Sequence, residues 1–313
     1  MSGERVFVAG ATGVLGKRAV RRLVEAGHEV TGVARTDEKA KLLEGLGVTP
    51  VHVDLFDAEA VRSVVTGHDV VCNLATNIPP TTKAARTSAW ADNDRIRREA
   101  AQHLVDAALA TGAGRFIQES ISFIYADAGE GWIDEDDPLD VPAHARSTLD
   151  AQAHTQRFAA SGGAGVVLRF GLFYGPDSHH TIDAVRMARR RLAATFGRRD
   201  AYLSSITTDD AATAVVAALG ATSGIYNVVE DEPLTRREHF DALARALGVR
   251  PPHFAPAVAR KLGGSKTELL ARSQRVSNER FKKETGWAPG YPSAREGWPA
   301  VVAAIENGER ADA

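Results

Sequence analysis

At 313 residues the chain suits one large domain or two smaller ones, and its 38 Lys and Arg against 40 Asp and Glu leave a formal net charge of −2. So even a balance gives no reason to expect a nucleic-acid or strongly acidic partner. One cysteine, Cys72, cannot form an internal disulfide, no apolar run reaches membrane-spanning length, and a strand signal at about residue 5 leaves no room for a leader, so a cytoplasmic protein with no membrane partner is expected.

The first predicted element is an apolar strand, Val6, Phe7 and Val8, running into Gly10, Thr12, Gly13, Val14, Leu15 and Gly16. Gly10 suits a tight turn. Gly13 lets a pyrophosphate approach bare backbone, and Gly16 lets the next helix pack closely on the sheet. Val20, Leu23 and Val24 give that helix its apolar stripe, and Gly27 ends it. Free amides at the helix start, at the positive end of its dipole, attract phosphate. The second strand begins at Glu29 and ends on Arg35, where an NAD site usually has an acid that holds the ribose hydroxyls. A guanidinium suits a 2′-phosphate instead, a charge-assisted contact worth about 1.5–3 kcal/mol. NADPH/NADP+ is therefore the expected cofactor, with Lys17 and Arg18 adding positive charge just past the third glycine.

Thr49 to Val53 reads as a short strand ending in Asp54-Leu55, Val70 to Leu74 as an apolar strand, and Ile96 to Ala110 as a helix. A strand from Arg115 to Glu119, a helix from Ser147 to Ala160 and a strand from Val166 to Arg169 follow. Ser147 with Asp150 has capping-box spacing. Such alternation predicts an α/β protein with a Rossmann-type doubly wound parallel sheet, which binds ligands at the carboxyl ends of its strands. Beyond about residue 172 the pattern loosens: a loop from Gly175 to His180, helices from Ile182 to Leu192 and Asp209 to Leu219, and a strand from Gly224 to Val229. The expected organisation is a dinucleotide-binding domain over 1–172, with 203–228 returning to it, and a smaller C-terminal lid or substrate domain from 173–202 and 229–313.

Other features have plainer readings. His179-His180 has no third ligand at metal spacing, so no metal is expected and the pair reads as a loop over the pocket. Asp134 to Asp137 reads as a solvated acidic face, and Arg189 to Arg191 with Arg198 and Arg199 as an exposed helix face. Ile78, Pro79 and Pro80 stand where a pocket wall would be, and Phe173, Tyr174 and Trp132 have the side chains to line the same cleft.

Together these marks resemble the extended short-chain dehydrogenase/reductase family, of the nucleotide-sugar epimerase/dehydratase type. Gly10-Ala-Thr-Gly13-Val-Leu-Gly16 is similar to its glycine motif and Asp54-Leu55 to its adenine contact. Asn73-Leu74-Ala75-Thr76 is similar to the strand end beneath the ribose. Arg169-Phe170-Gly171-Leu172-Phe173-Tyr174-Gly175-Pro176 is similar to the segment passing the nicotinamide, and Tyr226-Asn227-Val228 and Gly286-Trp287-Ala-Pro289 to later marks. The resemblance implies cofactor contacts from Leu74, Ala75, Thr76, Ser120, Phe170, Gly171 and Leu172, and substrate contacts from Ile78, Pro79, Ser122, Phe173 and Tyr174.

The chain departs from that family where chemistry is concerned. The family carries a tyrosine and a lysine four apart on a helix after an acidic loop. Here His144 falls at the tyrosine position and Thr148 at the lysine position, and no tyrosine occurs between Tyr125 and Tyr174. The family's hydroxyl residue, four before Tyr125, falls at Ile121, flanked by Ser120 and Ser122. More narrowly, the chain resembles ketoreductases of aromatic polyketides of angucyclinone (simocyclinone) type, which act in antibiotic biosynthesis. The implied activity is NADPH-dependent reduction of a carbonyl on a bulky, aromatic small-molecule secondary metabolite. A positioned acid is worth about 10²–10⁴ in rate. The proton sources are His144, a hydroxyl of Ser120, Ser122 or Tyr125, or a phenol on the substrate itself. The last is favoured, because no residue in the sequence replaces the lysine. The rivals are a non-catalytic NADP(H)-binding sensor and a nucleotide-sugar epimerase or dehydratase, which needs the tyrosine more than a reductase does. The oligomeric state is left open.

Overall fold

The computed structural model describes residues 3–79, 86–195, 197–254 and 269–311. In chain order the first half runs β1 (Arg5–Ala9), α1 (Gly16–Glu25), β2 (Glu29–Val33), α2 (Asp37–Glu44), β3 (Thr49–Val51), α3 (Ala58–Val65) and β4 (Val70–Asn73). A continuous helical run follows: a 3-10 turn at Thr87–Trp90, α4 (Ala91–Arg95), a π-helical turn at Ile96–Ala100 and α5 (Ala101–Thr111). Then come β5 (Arg115–Ile121), β6 (Trp132–Ile133), α6 (Ser147–Ala160), β7 (Ala164–Phe170), β8 (Leu172–Tyr174) and α7 (His179–Arg189). The rest is β9 (Tyr202–Leu203), β10 (Ser205–Thr207), α8 (Thr208–Ala217), β11 (Gly224–Val228), β12 (Leu234–Thr235), α9 (Arg236–Ala246), β13 (Arg275–Val276), α10 (Glu279–Thr285) and α11 (Ala294–Ala311).

Seven of these strands form one parallel sheet, in the order β3-β2-β1-β4-β5-β7-β11. A parallel sheet covered on both faces needs apolar side chains pointing both ways, which explains the unbroken apolar runs in β1 and β4. On one face Val6, Val8, Cys72 and Ile117 pack with Leu23 of α1 and Val215 of α8. On the other Phe7, Val71 and Phe116 pack with Val61, Leu104 and Phe158. Cys72 is fully buried, and desolvation pushes its thiol up to about 12, so it is inert. A separate core joins Tyr174, Val185, Phe240, Leu243, Trp298 and Val302 in the C-terminal layer. The strand at Gly224–Val228 pairs with β7 as the seventh of the sheet, following β8–β10 in the chain.

Three local expectations are corrected. The helix from residue 96 belongs to a run that starts at Thr87 and contains the π turn. The start of α6 lies at Ser147, but no capping box forms: the Ser147 hydroxyl donates to Asp94 at 2.6 Å, and Asp150 pairs with Arg98 at 2.9 Å. Tertiary partners outcompete the local cap. His179 and His180 open α7 rather than sitting in a loop. No group of three metal-ligating side chains occurs among the described residues, nor any helix long and apolar enough to cross a membrane.

Candidate active site

The carboxyl ends of β1, β4, β5 and β7 converge on one edge. Gly10 has φ +81°, and a Cβ there would lie 2.5 Å from the Leu74 carbonyl, so only glycine lets β1 turn beneath the end of β4. A Cβ on Gly16 would meet the Gly10 oxygen at 1.9 Å, which is how closely α1 is drawn in. At Gly13 a Cβ would meet only that oxygen, at 3.3 Å, so the loop is open backbone at Gly13, between the half-buried Thr12 and Val14 and ahead of the buried Leu15. No side chain caps α1 and no acid stands in its first turn. Its mouth is left to an anion, and the loop fits the pyrophosphate of a dinucleotide, which when bound supplies the hydride.

Arg35 is exposed just past the end of β2 and makes no hydrogen bond or ion pair among the described residues. Thr36 beside it caps α2, accepting the Lys39 amide at 3.3 Å. Lys17 and Arg18 are not free for phosphate. Lys17 pairs with Asp177; Arg18 meets Asp177 at 2.9 Å and Asp209 at 3.2 Å. At the adenine side, Asp54 accepts the Phe56 amide at 3.0 Å and the Leu55 carbonyl meets His103 at 3.1 Å. Leu74 and Ala75 are buried, Thr76 is exposed, and the Leu74 amide continues the ladder to Ala9 at 2.9 Å. Phe170 is buried, and the Gly171 and Leu172 amides bond to Val228 at 3.2 Å and Ser204 at 2.9 Å.

The expected proton donors end up in different settings. Ser120 is buried on β5 and its Oγ accepts from Gln152 Nε2 at 2.7 Å, which leaves its own proton to donate. Gln152 in turn accepts from Arg169 at 2.9 Å; Arg169 donates to the Tyr125 oxygen at 2.7 Å; Tyr125 donates to Asn227 at 2.8 Å. Tyr125 is wholly buried and its hydroxyl is committed in both directions, so it holds the core together and is not placed to protonate a substrate. Burial raises its pKa further. Ser122 is buried in the 3-10 turn after β5. His144 lies on a 3-10 turn ahead of α6, not on the helix itself, and is half-buried.

The expected substrate wall is only partly present. Ile78 is exposed and Pro79 buried; Pro80 lies outside the described residues. Phe173 stacks on Phe170, ring centroids 5.2 Å apart. Tyr174 does not line a cleft: it is buried, donates to Glu230, and packs against Trp298 with centroids 4.7 Å apart. Trp132 lies under the Arg275 guanidinium and borders a different, open pocket with Asp134, Asp231 and Glu279. The acidic run is not simply a solvated face, since Glu135 is buried, accepts the Asn227 amide at 2.8 Å and pairs with Arg280 at 3.1 Å.

Two residues of the site were missed in the sequence. Arg97, from the π turn, is 5% exposed and donates to Thr148 Oγ1 at 2.9 Å. A buried cation from another element therefore stands against Thr148. Glu119, next to Ser120, is 6% exposed, and its Oε2 has no hydrogen-bond partner among the described residues. Burial, opposed by the charge of Arg97, pushes its carboxyl up to about 7. An acid inside a strand that is apolar at Phe116 and Ile117 was the available signal for Glu119. Arg97, in Ile96-Arg-Arg-Glu, carries no comparable signal.

A family model described as the NAD dependent epimerase/dehydratase family matches residues 6–228. A 3-diazoavenalumate denitrifying reductase of Streptomyces sp is 36% identical over 94% of this chain and 98% of its own length. A 2-alkyl-3-oxoalkanoate reductase of Shewanella oneidensis is 31% identical over 79% of this chain and 67% of its own length. Among solved structures, UDP-glucose 4-epimerase from Thermotoga maritima with UDP-glucose superposes with a TM-score of 0.78, covering 97% of this chain and 99% of that one at 19% identity, a likeness of fold.

Proposed function

The chain belongs to the NAD dependent epimerase/dehydratase family and is an NAD(P)-dependent oxidoreductase; from that premise we propose an NADPH-dependent ketoreductase acting on a bulky aromatic secondary metabolite. The observation that carries the reading is the bare glycine loop with an uncommitted guanidinium, Arg35, at the end of the neighbouring strand. The loop holds the pyrophosphate and Arg35 the 2′-phosphate. Gln152 holds Ser120 at the carboxyl end of β5, and Phe170 and Phe173 exclude water nearby. A relative named as a 2-alkyl-3-oxoalkanoate reductase supports reduction of a carbonyl. The missing tyrosine counts against sugar epimerisation, which needs that base more. Consumption of NADPH with a panel of aromatic ketones and quinones tests the reading. Tight cofactor binding with no turnover of any of them would favour a sensor instead.

A second reading is favoured by the same substitutions. Reduction of an aryl diazonium adds hydride to carbon and releases N2, so no alkoxide forms and no acid is required at the tyrosine position. The relative named for denitrification of a diazo compound supports it. An ortho-diazophenol in the panel, with N2 release measured, separates the two.

A further inference from the structure

The usual acid and cation are absent from their positions, yet a carboxyl and a guanidinium are buried beside them. Glu119 lies two residues before Ile121 on β5, so the two side chains leave the strand on the same face. Ile121 is the position counted for the missing hydroxyl. Glu119 keeps only 6% of its surface, and Oε2 accepts no hydrogen bond from the described residues. An ionised carboxylate is costly in that state, whereas a protonated one needs only an acceptor for its proton. Its neighbours on that face carry no charge: Ile117 on its own strand and Leu168, opposite it on β7, are buried apolar residues. Arg169 of β7 stands opposite Ser120, on the other face, and is committed to Tyr125 and Gln152. The charge acting on Glu119 is that of Arg97, which also holds Thr148.

We propose that Glu119 is the proton donor of the reduction and that Arg97 performs the electrostatic task of the absent lysine. This rests on the ketoreductase reading. In the step, the carbonyl carbon receives the hydride, the π pair moves onto oxygen, and oxygen forms an O–H bond with the Glu119 proton. Glu119 is left as a carboxylate, stabilised by Arg97 until water re-protonates it. Its burial holds the carboxyl up to about 7, near a neutral working pH, where an acid of this kind is most effective.

The first measurement needs no substrate. Infrared difference spectra of the NADP+-loaded protein should contain a protonated-carboxyl band that disappears as pH rises through about 7 and is missing from Glu119→Gln. Glu230, also pushed up to about 7 by burial, contributes a second component, which Glu230→Gln removes on its own. A band unaltered by Glu119→Gln overturns the proposal. The second measurement is kinetic. Glu119→Gln should lower kcat about a hundredfold or more with little change in KM, and should abolish the alkaline fall in activity. Arg97→Met should move that fall to higher pH, and Arg97→Lys should return it towards the wild type. A Glu119→Gln protein within about threefold of wild-type kcat, with its pH profile intact, overturns the proposal. Wild-type protein that reduces no carbonyl defeats the ketoreductase reading alone; the infrared band still decides whether Glu119 carries a proton at neutral pH.

Discussion

At Arg35, the proposed discrimination between the two nicotinamide cofactors comes down to one guanidinium with no other partner among the described residues. Loss of a charge-assisted bond of about 1.5–3 kcal/mol predicts that Arg35→Ala weakens NADPH binding roughly ten- to hundredfold and leaves NADH binding little changed. Paired fluorescence titrations check it; equal losses for both cofactors would show that Arg35 does not touch the 2′-phosphate. Tyr125 makes the opposite prediction. Its hydroxyl serves Arg169 and Asn227 in the core. Tyr125→Phe should therefore cost about 1–3 kcal/mol of stability by leaving those groups short of a partner, with kcat held within severalfold. Denaturant unfolding beside steady-state kinetics separates these, and a collapse of kcat at unchanged stability would reinstate Tyr125 as a donor.

At the scale of elements, two arrangements make the site. The π turn at Ile96–Ala100 has an i to i+5 bond from the Ala101 amide to the Ile96 carbonyl, and Arg97 within it is buried against α6. Wide turns of this kind are common at functional sites. The second arrangement ties α1, through Lys17 and Arg18, to Asp177 in the segment after β8 and to Asp209 in the first turn of α8. Burial would raise the Asp177 carboxyl, but Arg18 and Lys17 hold it below the usual range. A depressed carboxyl contributes stability above its unfolded pKa and loses it as pH falls through the folded value. Asp177→Asn is expected to lower stability by about 1 kcal/mol at neutral pH, and the deficit should shrink in acid and in high salt. Thermal melts at two salt concentrations test this; a deficit independent of both pH and salt would mean the contact is not electrostatic.

For the whole molecule, a polar cluster sits where the sheet meets the C-terminal layer. Tyr174 and Ser205 donate to Glu230, the latter at 2.8 Å, and Trp298 donates to His239 at 3.3 Å. Burial pushes Glu230 up to about 7 and His239 down to about 3. The signs oppose. The raised Glu230 contributes stability below the ordinary carboxyl range that is lost as pH rises through about 7; the depressed His239 contributes stability above the ordinary imidazole value that is lost as pH falls towards about 3. Glu230→Gln leaves His239 unopposed, so its melting temperature should fall more steeply than that of the wild type between about pH 6.5 and about pH 4.5. Parallel slopes would show that Glu230 is ionised throughout.

The glycine loop and the alternation of strands and helices were legible in the chain, because each depends on residues within one or two turns of each other. The capping of α6, the packing of Tyr174 and the commitment of Lys17 and Arg18 were not, because their partners come from distant segments. By itself the sequence determined a parallel sheet with a dinucleotide cradle, since periodicity and backbone freedom are local properties. Only the tertiary structure decided that a buried arginine stands against Thr148, 51 residues away, and that an unpaired carboxyl lies at the end of β5. Burial and the field of a remote charge arise only when separate elements pack together.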